Sequence, residues 1–427
     1  MTLHHYSIDK ITKTIWTTGL LITSVFGFLG SVPAQAVNEL KLTQATFQPR
    51  LKKSKIVSSN LKMESIFVEP TIIYGQPSSD PANPSPVADA FVADYNLQSI
   101  LTKRLPSGAI STYNSSNEVK INPYFQNLAI CGLATEAQFG NYPNRQELID
   151  TAWKALDWYK SKQDPITGYI YDYNVNGSVE TNSGQMDSVD SYIGTYFVAL
   201  QCAYKASGNS AKLQSHLPTM LKAYQAISTI YDPVDNLYIA KPSWQVKYLM
   251  DNVELARGIK EASNLFSILG QSSQSLQANN DYQRLITAIE SRFWDSSTND
   301  YRWAIAGNVP NEVLYPSNWS KCYADAKANL WATMWLDVQT ASRKTALTNK
   351  FDSLSKNTLD TGLVECQYNP SVGIAMSKAN QNQLANSYYN FGKNAIATKN
   401  IGGIYTSGHD GLFLILKHKL NGKTLVI

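Results

Sequence analysis

The sequence is poor in the residues that build metal centres, redox pairs and strongly charged surfaces. Its 427 residues include four cysteines, Cys131, Cys202, Cys322 and Cys366, each far from the next. No CxxC occurs, which excludes a zinc ribbon and a thioredoxin-type motif, and so sparse a set excludes a dense disulfide scaffold. Histidine is equally scarce: His4, His5, His216, His409 and His418 form no HxxxH or HxH pair outside the extreme N-terminus. A His-rich metal centre is therefore not expected, and no cofactor is; only an all-oxygen calcium site stays open. Charged residues make up 16% of the chain, below the usual quarter, which argues against a coiled coil. The net charge of +4, from 37 basic and 33 acidic residues, gives no basic face for a nucleic acid. There is no GxxxxGK[ST] or GxGxxG phosphate loop and no GxSxG elbow. No histidine is paired with a motif serine or cysteine, so a nucleophilic triad has no support.

What the chain does have is apolar and aromatic mass. Hydrophobic residues are 43% of the total, enough to bury a sizeable core and to exclude global disorder. The N-terminus reads as a targeting segment: Lys10 and Lys13, an apolar run over residues 15–29, then Pro33-Ala34-Gln35-Ala36, which fits cleavage after Ala36. The run is short and diluted by Thr, Ser and Gly, so stable membrane insertion after cleavage is not expected. Residues 1–36 are thus assigned to a signal peptide, with retention as an anchor the alternative, and the mature protein to the periplasm or the exterior. Residues 37–90 read as a linker. They hold the basic cluster Arg50-Leu51-Lys52-Lys53-Ser54-Lys55, then Pro70, Pro77, Pro81, Pro84 and Pro86 among Ser, Asp and Asn.

From about Phe91 the pattern becomes helical. Helices are expected over 91–104, 123–138, from 144, over 187–206, 211–230, 249–268, 279–294, 323–338 and 342–357, and near 370–379, 382–396 and 408–419. That is about twelve, or six hairpins. The odd members are amphipathic, with Lys154, Lys160 and Lys162 in the third and Arg284, Glu290 and Arg292 in the seventh on polar faces. The even members are apolar nearly all round: the fourth carries Ile193-Gly194-Thr195-Tyr196-Phe197-Val198-Ala199-Leu200, the eighth Leu330, Trp331, Met334 and Trp335. A helix apolar on all sides is buried on all sides. Alternating inner and outer helices predict an all-α fold, an (α/α)6 barrel over residues 91–427 with short β-hairpin connections. Those connections resemble one another. Asp164-Pro165-Ile166-Thr167-Gly168-Tyr169-Ile170-Tyr171, Asp232 to Tyr238 and Asp295 to Tyr301 are each a polar turn followed by aromatics. They recur at about 60 to 70 residues, longer and less even than the repeats of a helical solenoid.

In hairpin count, in inner–outer alternation and in connections such as Thr167-Gly168-Tyr169-Ile170-Tyr171, residues 91–420 resemble the six-hairpin glycosidase superfamily. The likeness is to an architecture and assigns no glycoside hydrolase family. It implies a carbohydrate cleft where the inner helices begin. It leaves the chemistry open, because the same barrel carries lyases and epimerases.

Two constellations open inner helices. In Met186-Asp187-Ser188-Val189-Asp190-Ser191-Tyr192, Asp187 and Asp190 stand three apart; in Tyr248-Leu249-Met250-Asp251-Asn252-Val253-Glu254, Asp251 and Glu254 repeat the spacing. Helix capping explains such pairs as well as chemistry does. The chemical reading makes Asp190 and Asp251 the acid and base of glycoside hydrolysis, which needs one protonated and one ionised carboxyl group across the scissile bond. Their order, and retention against inversion, are open, with the superfamily tilting towards inversion. Asp187, Tyr192, Trp244, Tyr248, Asn252, Glu254, Glu312, Trp319, Asp325, His409 and Asp410 are the candidates for binding substrate. Aromatic rings among them suit the apolar faces of a pyranose. The expected protein is an exported glycoside hydrolase, monomeric, acting on a poly- or oligosaccharide. A lyase or epimerase on the same barrel and a non-catalytic glycan-binding envelope protein are the alternatives. Few histidines count against the lyase.

Overall fold

A computed structural model describes residues 94–115, 118–354, 369–397 and 406–427. The chain divides into two units, Met1–Ala82 and Asn83–Ile427, and every described residue belongs to the second. The signal segment 1–36 and the linker 37–90 lie outside the described residues.

Thirteen helices are present among the described residues: α1 (Tyr95–Thr102), α2 (Pro123–Phe139), α3 (Arg145–Lys162), α4 (Val189–Ser207), α5 (Ser210–Ser215), α6 (Leu217–Ala226), α7 (Leu249–Ile268), α8 (Ser272–Arg292), α9 (Lys327–Trp335), α10 (Ala341–Leu354), α11 (Pro370–Lys378), α12 (Asn382–Ala397) and α13 (Ser407–Leu420). Six of them close a ring: α2 packs on α4, α4 on α7, α7 on α9, α9 on α11, α11 on α13, and α13 back on α2. The others lie outside it, α1 on α13, α3 on α2, α5 and α6 on α4, α8 on α7, α10 on α9 and α12 on α11. This is the (α/α)6 barrel, with the even helices of the sequence pattern inside. The ring is tight because glycine faces glycine at two crossings. A Cβ on Gly132 would lie 2.4 Å from the Gly411 Cα, joining α2 to α13, and one on Gly258 2.4 Å from the Gly194 Cα, joining α7 to α4.

Local chemistry sets the helix starts. Asn122 caps α2 by accepting the Phe125 N–H, with Pro123 at the first position. Asn369 and Pro370 repeat the device at α11, and Thr406 and His409 cap each other's backbone at α13. Several boundaries differ from the sequence pattern, the eighth helix among them: it opens at Lys327, after a π turn over Cys322–Ala326, and ends at Trp335. The fourth helix opens at Val189 with Ser188 as its N-cap residue, so Asp187 precedes the helix instead of capping it. The fifth is broken into α5 and α6 because Pro218 has no N–H to continue the ladder; His216 ends one piece and starts the next. The seventh begins at Ser272, seven residues early. Its first two turns are polar and mostly exposed, so they carry no apolar stripe to read.

The recurring connections share one turn. Asp164, Asp232 and Asp295 each accept a backbone N–H two residues on, and four residues after each comes a left-handed residue, Gly168 (φ +76°), Asn236 (+61°) or Asn299 (+54°). The last two turns close hairpins β5–β6 (Tyr231–Asp232, Leu237–Tyr238) and β8–β9 (Trp294–Asp295, Asp300–Tyr301). Larger sheets join connections distant in sequence. β1 (Tyr113–Ser115) and β2 (Glu118–Ile121) continue antiparallel into β3 (Tyr173–Asn176) and β4 (Val179–Asn182), with Lys120 opposite Asn174. β7 (Val246–Tyr248) pairs with β10 (Ala304–Ala306), which pairs with β11 (Val313–Tyr315). β2 runs into α2 and β7 into α7, so both sheets stand at the rim where inner helices begin. Cys322 is disulfide-bonded, whereas Cys131 and Cys202 are free thiols buried in contact between α2 and α4. No described helix is long and apolar enough to cross a membrane.

Candidate active site

The Gly194–Gly258 crossing fixes the site. Asp190 stands one turn before Gly194 on α4, and Glu254 one turn before Gly258 on α7. Close backbone approach therefore sets the two carboxylates side by side, and Asp251, a turn nearer the start of α7, joins them. Asp190 is 0% exposed and Glu254 2%. Asp251 is half-buried and Asp187 exposed. Asp187, Asp190, Asp251 and Glu254 thus meet at one rim, where two neighbouring inner helices begin.

Their electrostatics follow from that crowding. Burial pushes the Asp190 carboxyl well above the usual carboxylate range, and the charge of Glu254 adds to it. Asp190 Oδ1 accepts the Ser191 N–H at 3.0 Å, while Oδ2 has no hydrogen-bond partner among the described residues. Asp251 is also raised well, by burial first, then by the charges of Asp190, Glu254 and Asp187. Burial lifts Glu254 to about 7. Its Oε1 accepts the Tyr124 hydroxyl at 2.7 Å and the Trp331 indole N–H at 2.5 Å, and the Lys327 ammonium also favours its ionised form. Such a group, poised near neutrality, holds or yields a proton under ordinary conditions.

A fifth carboxylate comes from the connection before β3. Asp172 is pushed up to about 6 by burial and by the charge of Asp187, against the Tyr192 hydroxyl it accepts at 2.7 Å. Asn122, the cap of α2, donates to that same hydroxyl at 2.7 Å, so the approaches to two inner helices, α2 and α4, meet at Tyr192. A strap crosses the start of α4: Ala240 accepts the Val189 N–H at 2.7 Å and Lys241 Nζ donates to Met186 O at 2.7 Å. The strap carries Trp244, whose indole donates to the Tyr248 hydroxyl at 3.0 Å. The Tyr248 ring stacks on Trp303, which meets Tyr315, and these half-buried rings wall the approach to Asp251.

Several sequence candidates are committed elsewhere. Asn252 accepts the Tyr238 N–H and donates to the Tyr238 and Tyr248 carbonyls, clamping β6 to α7. Asn329 on α9 does the same to Tyr301, so the amide clamp is a recurring structural device. Glu312 pairs with Arg292 at the end of outer helix α8. Trp319 donates to Asp300 at 2.6 Å beneath Lys350 of outer helix α10. Asp325 accepts the Asn318 N–H and shapes the turn before α9. Asp410 faces outwards, to Ser99 of α1 (2.7 Å) and to Lys103, which ends that helix (2.8 Å). His409 is buried between the Thr406 cap, Asn369 and the Phe125 ring. Short connections and outer helices offer many such partners, and one-dimensional spacing does not tell them from the cleft.

Asp172, Tyr124 and Lys327 are not among the sequence candidates for the site, and Trp331 stands in the sequence pattern only as an apolar residue of an inner helix. A signal existed for two of them. Asp172 sits between Tyr171 and Tyr173 in a recurring connection, and Tyr124 follows the Asn-Pro start of an inner helix. Among the described residues no group of three or more His, Cys, Asp or Glu could hold a metal ion.

No protein-family model and no curated protein matches the chain. Solved structures do. A GH63 mannosylglycerate hydrolase from Thermus thermophilus, in complex with glucose, aligns with TM-score 0.54 at 9% identity, over 75% of this chain and 98% of that one. A novel alpha-amylase from Clostridium perfringens aligns with TM-score 0.51 at 12% identity, over 76% and 96%. An uncharacterized conserved protein from Thermus thermophilus aligns with TM-score 0.54 at 10% identity, over 75% and 98%. At these identities the likeness is one of fold: the chain has the six-hairpin (α/α)6 architecture of such glycosidases, with no family assigned.

Proposed function

We propose that the protein is an exported glycoside hydrolase that cleaves a poly- or oligosaccharide by carboxylate acid–base chemistry at the α4–α7 rim. One observation carries the reading. Asp187, Asp190, Asp251 and Glu254 crowd a single aromatic-walled rim, and burial with mutual repulsion raises the last three above the usual carboxylate range. The fold shared with glycosidases supports it, as does the disulfide at Cys322, which suits an oxidising compartment.

The roles follow from access. Asp251 is half-buried, open to the approach and held protonated, so it is the general acid. Asp187 is exposed at the same rim and is the base. Asp190, with Asp251 one of the two sequence candidates for acid and base, has no exposed surface with which to reach a glycosidic oxygen. We give it a positioning role: the two buried carboxyl groups oppose each other's ionisation, so Asp190 helps Asp251 keep its proton. Tyr248, Trp244 and Trp303 would stack on the sugar.

The test is a glycan panel assayed for new reducing ends with wild type and Asp251→Asn. New reducing ends without ultraviolet absorbance, lost in the variant, are expected. An unsaturated product would make it a lyase. No product with any glycan, alongside retained glycan binding, would make it a binding module.

A further inference from the structure

A second charged cluster lies away from the carboxylate rim, where the inner helices end. Asp337 follows α9, Lys378 is the last residue of α11, and Lys419 is next to last in α13. Arg257 and Lys260 come down α7 to meet them, and Lys344 from the first turn of α10. Asp337 takes Lys260 at 2.8 Å, Arg257 at 3.0 Å and Lys378 at 3.6 Å, while Arg257 also pairs with Glu261 at 2.8 Å. Among the described residues, five cations thus face two carboxylates, and Lys344 and Lys419 feel Asp337 without forming an ion pair to it. The Arg257 Nε is buried with no hydrogen-bond partner among the described residues. Helix C-termini carry roughly half a negative charge each, which offsets part of the excess. The helix-end carbonyls are partly taken by backbone N–H groups, as in Ala379 to Ala375.

Surface lysines tolerate such neighbours because water screens them. These are not surface lysines: the Lys378 side chain is 11% exposed, and Lys344 and Lys419 are half-buried. Five cations converge from four helices around Asp337, whose own side chain is 43% exposed, so the cluster opens to solvent on that side, where a counter-charge beyond the two carboxylates can approach.

We propose that this end of the barrel binds a tetrahedral oxyanion, sulfate or phosphate, held by Lys378, Lys419, Lys344 and Arg257 beside Asp337. Arg257 offers the free Nε–H and the lysines offer ammonium donors, the usual partners of such an anion. Burial and the charges of Arg257, Lys419 and Lys344 bring Lys378 down to about 7, with Asp337 opposing them. Anion binding returns its proton, so affinity rises as pH falls through that value. The proposal stands apart from the hydrolase reading, because none of these residues belongs to the rim.

The experiment is calorimetric titration of the full chain with sodium sulfate, against sodium chloride at equal ionic strength. Sulfate does not itself titrate near neutral pH. Saturable one-site binding is expected, tighter below neutrality than above it. Lys378→Met and Lys419→Met should each weaken it by about tenfold or more, the scale of one lost charge-assisted contact. Asp251→Asn should leave it unchanged. Should a lysine variant fail to fold, Lys344→Gln, on the half-exposed edge, gives the same reading. A sulfated oligosaccharide in a parallel titration separates the sources: competition with free sulfate means the site takes esters, and its failure to compete restricts the site to the free ion. Equal responses to sulfate and chloride, or variants that bind as wild type does, would overturn the proposal.

Discussion

At the scale of single residues, the site is built from carboxylates that do not want to be charged. Glu254 shows what this costs. Its folded pKa of about 7 lies above the value of an unfolded glutamate, so the native state binds its proton more tightly than the unfolded chain does. The stability it contributes is whole below about pH 4 and is lost as pH rises through about 7. Glu254→Gln keeps an oxygen to accept Tyr124 and Trp331 and removes the buried charge. The variant should melt higher than wild type at about pH 8, by an amount corresponding to on the order of 1–3 kcal/mol, and no higher at about pH 4. Thermal melts across that range check it; an equal shift at both pH values would mean the carboxylate is not strained. Asp251→Asn should lower turnover by about a hundredfold or more. Asp190→Asn makes a sharper prediction. If Asp190 acts by opposing the ionisation of Asp251, the alkaline limb of kcat/KM moves to lower pH, because Asp251 loses the neighbour that resists loss of its proton. A fall in rate with an unmoved limb would assign Asp190 to packing alone.

At the scale of elements, helix pairs were legible and strand pairs were not. Inner helices declare themselves by being apolar all round, and Asn122-Pro123 and Asn369-Pro370 announce two of their starts. Strands of two to four residues are too short for an alternating pattern, so nothing local says that β2 meets β3 or that β7 meets β10. Convergence of Asp190 and Glu254 was legible as neighbouring helices, but not the reason for it, which is Gly194 against Gly258. Nor was the burial of Asp190, which depends on what packs above it. The crossing is open to test. A Cβ on Gly194 would come within 2.8 Å of the Glu254 carbonyl oxygen, and backbone cannot give way as a side chain can. Gly194→Ala should therefore destabilise by roughly 1–3 kcal/mol despite the better helix propensity of alanine. It should also lower turnover, since spreading α4 from α7 separates the carboxylates. A more stable Gly194→Ala protein would show that the helices do not meet so closely.

For the whole molecule, closure of the ring is the decisive feature. Each inner helix buries two flanks against its neighbours, and α13 supplies the last two, against α11 and α2. The seal on α2 is again glycine on glycine, Gly132 against Gly411, and outer helix α1 rests on α13 through the buried Lys103–Asp410 pair. An open stack of hairpins would lose its final helix locally, as repeat arrays do. A closed ring would not, because removing α13 strips cover from both ends of the remaining five and leaves Lys103 without its carboxylate. A chain ending before residue 406 should therefore lack a cooperative thermal transition and bind a hydrophobic dye at room temperature. Restoring residues 406–427 as a separate peptide should return both the transition and whatever activity the rim supports. A truncated chain that melts sharply at the wild-type midpoint would mean that the six hairpins behave as a stack and that barrel closure carries none of the stability.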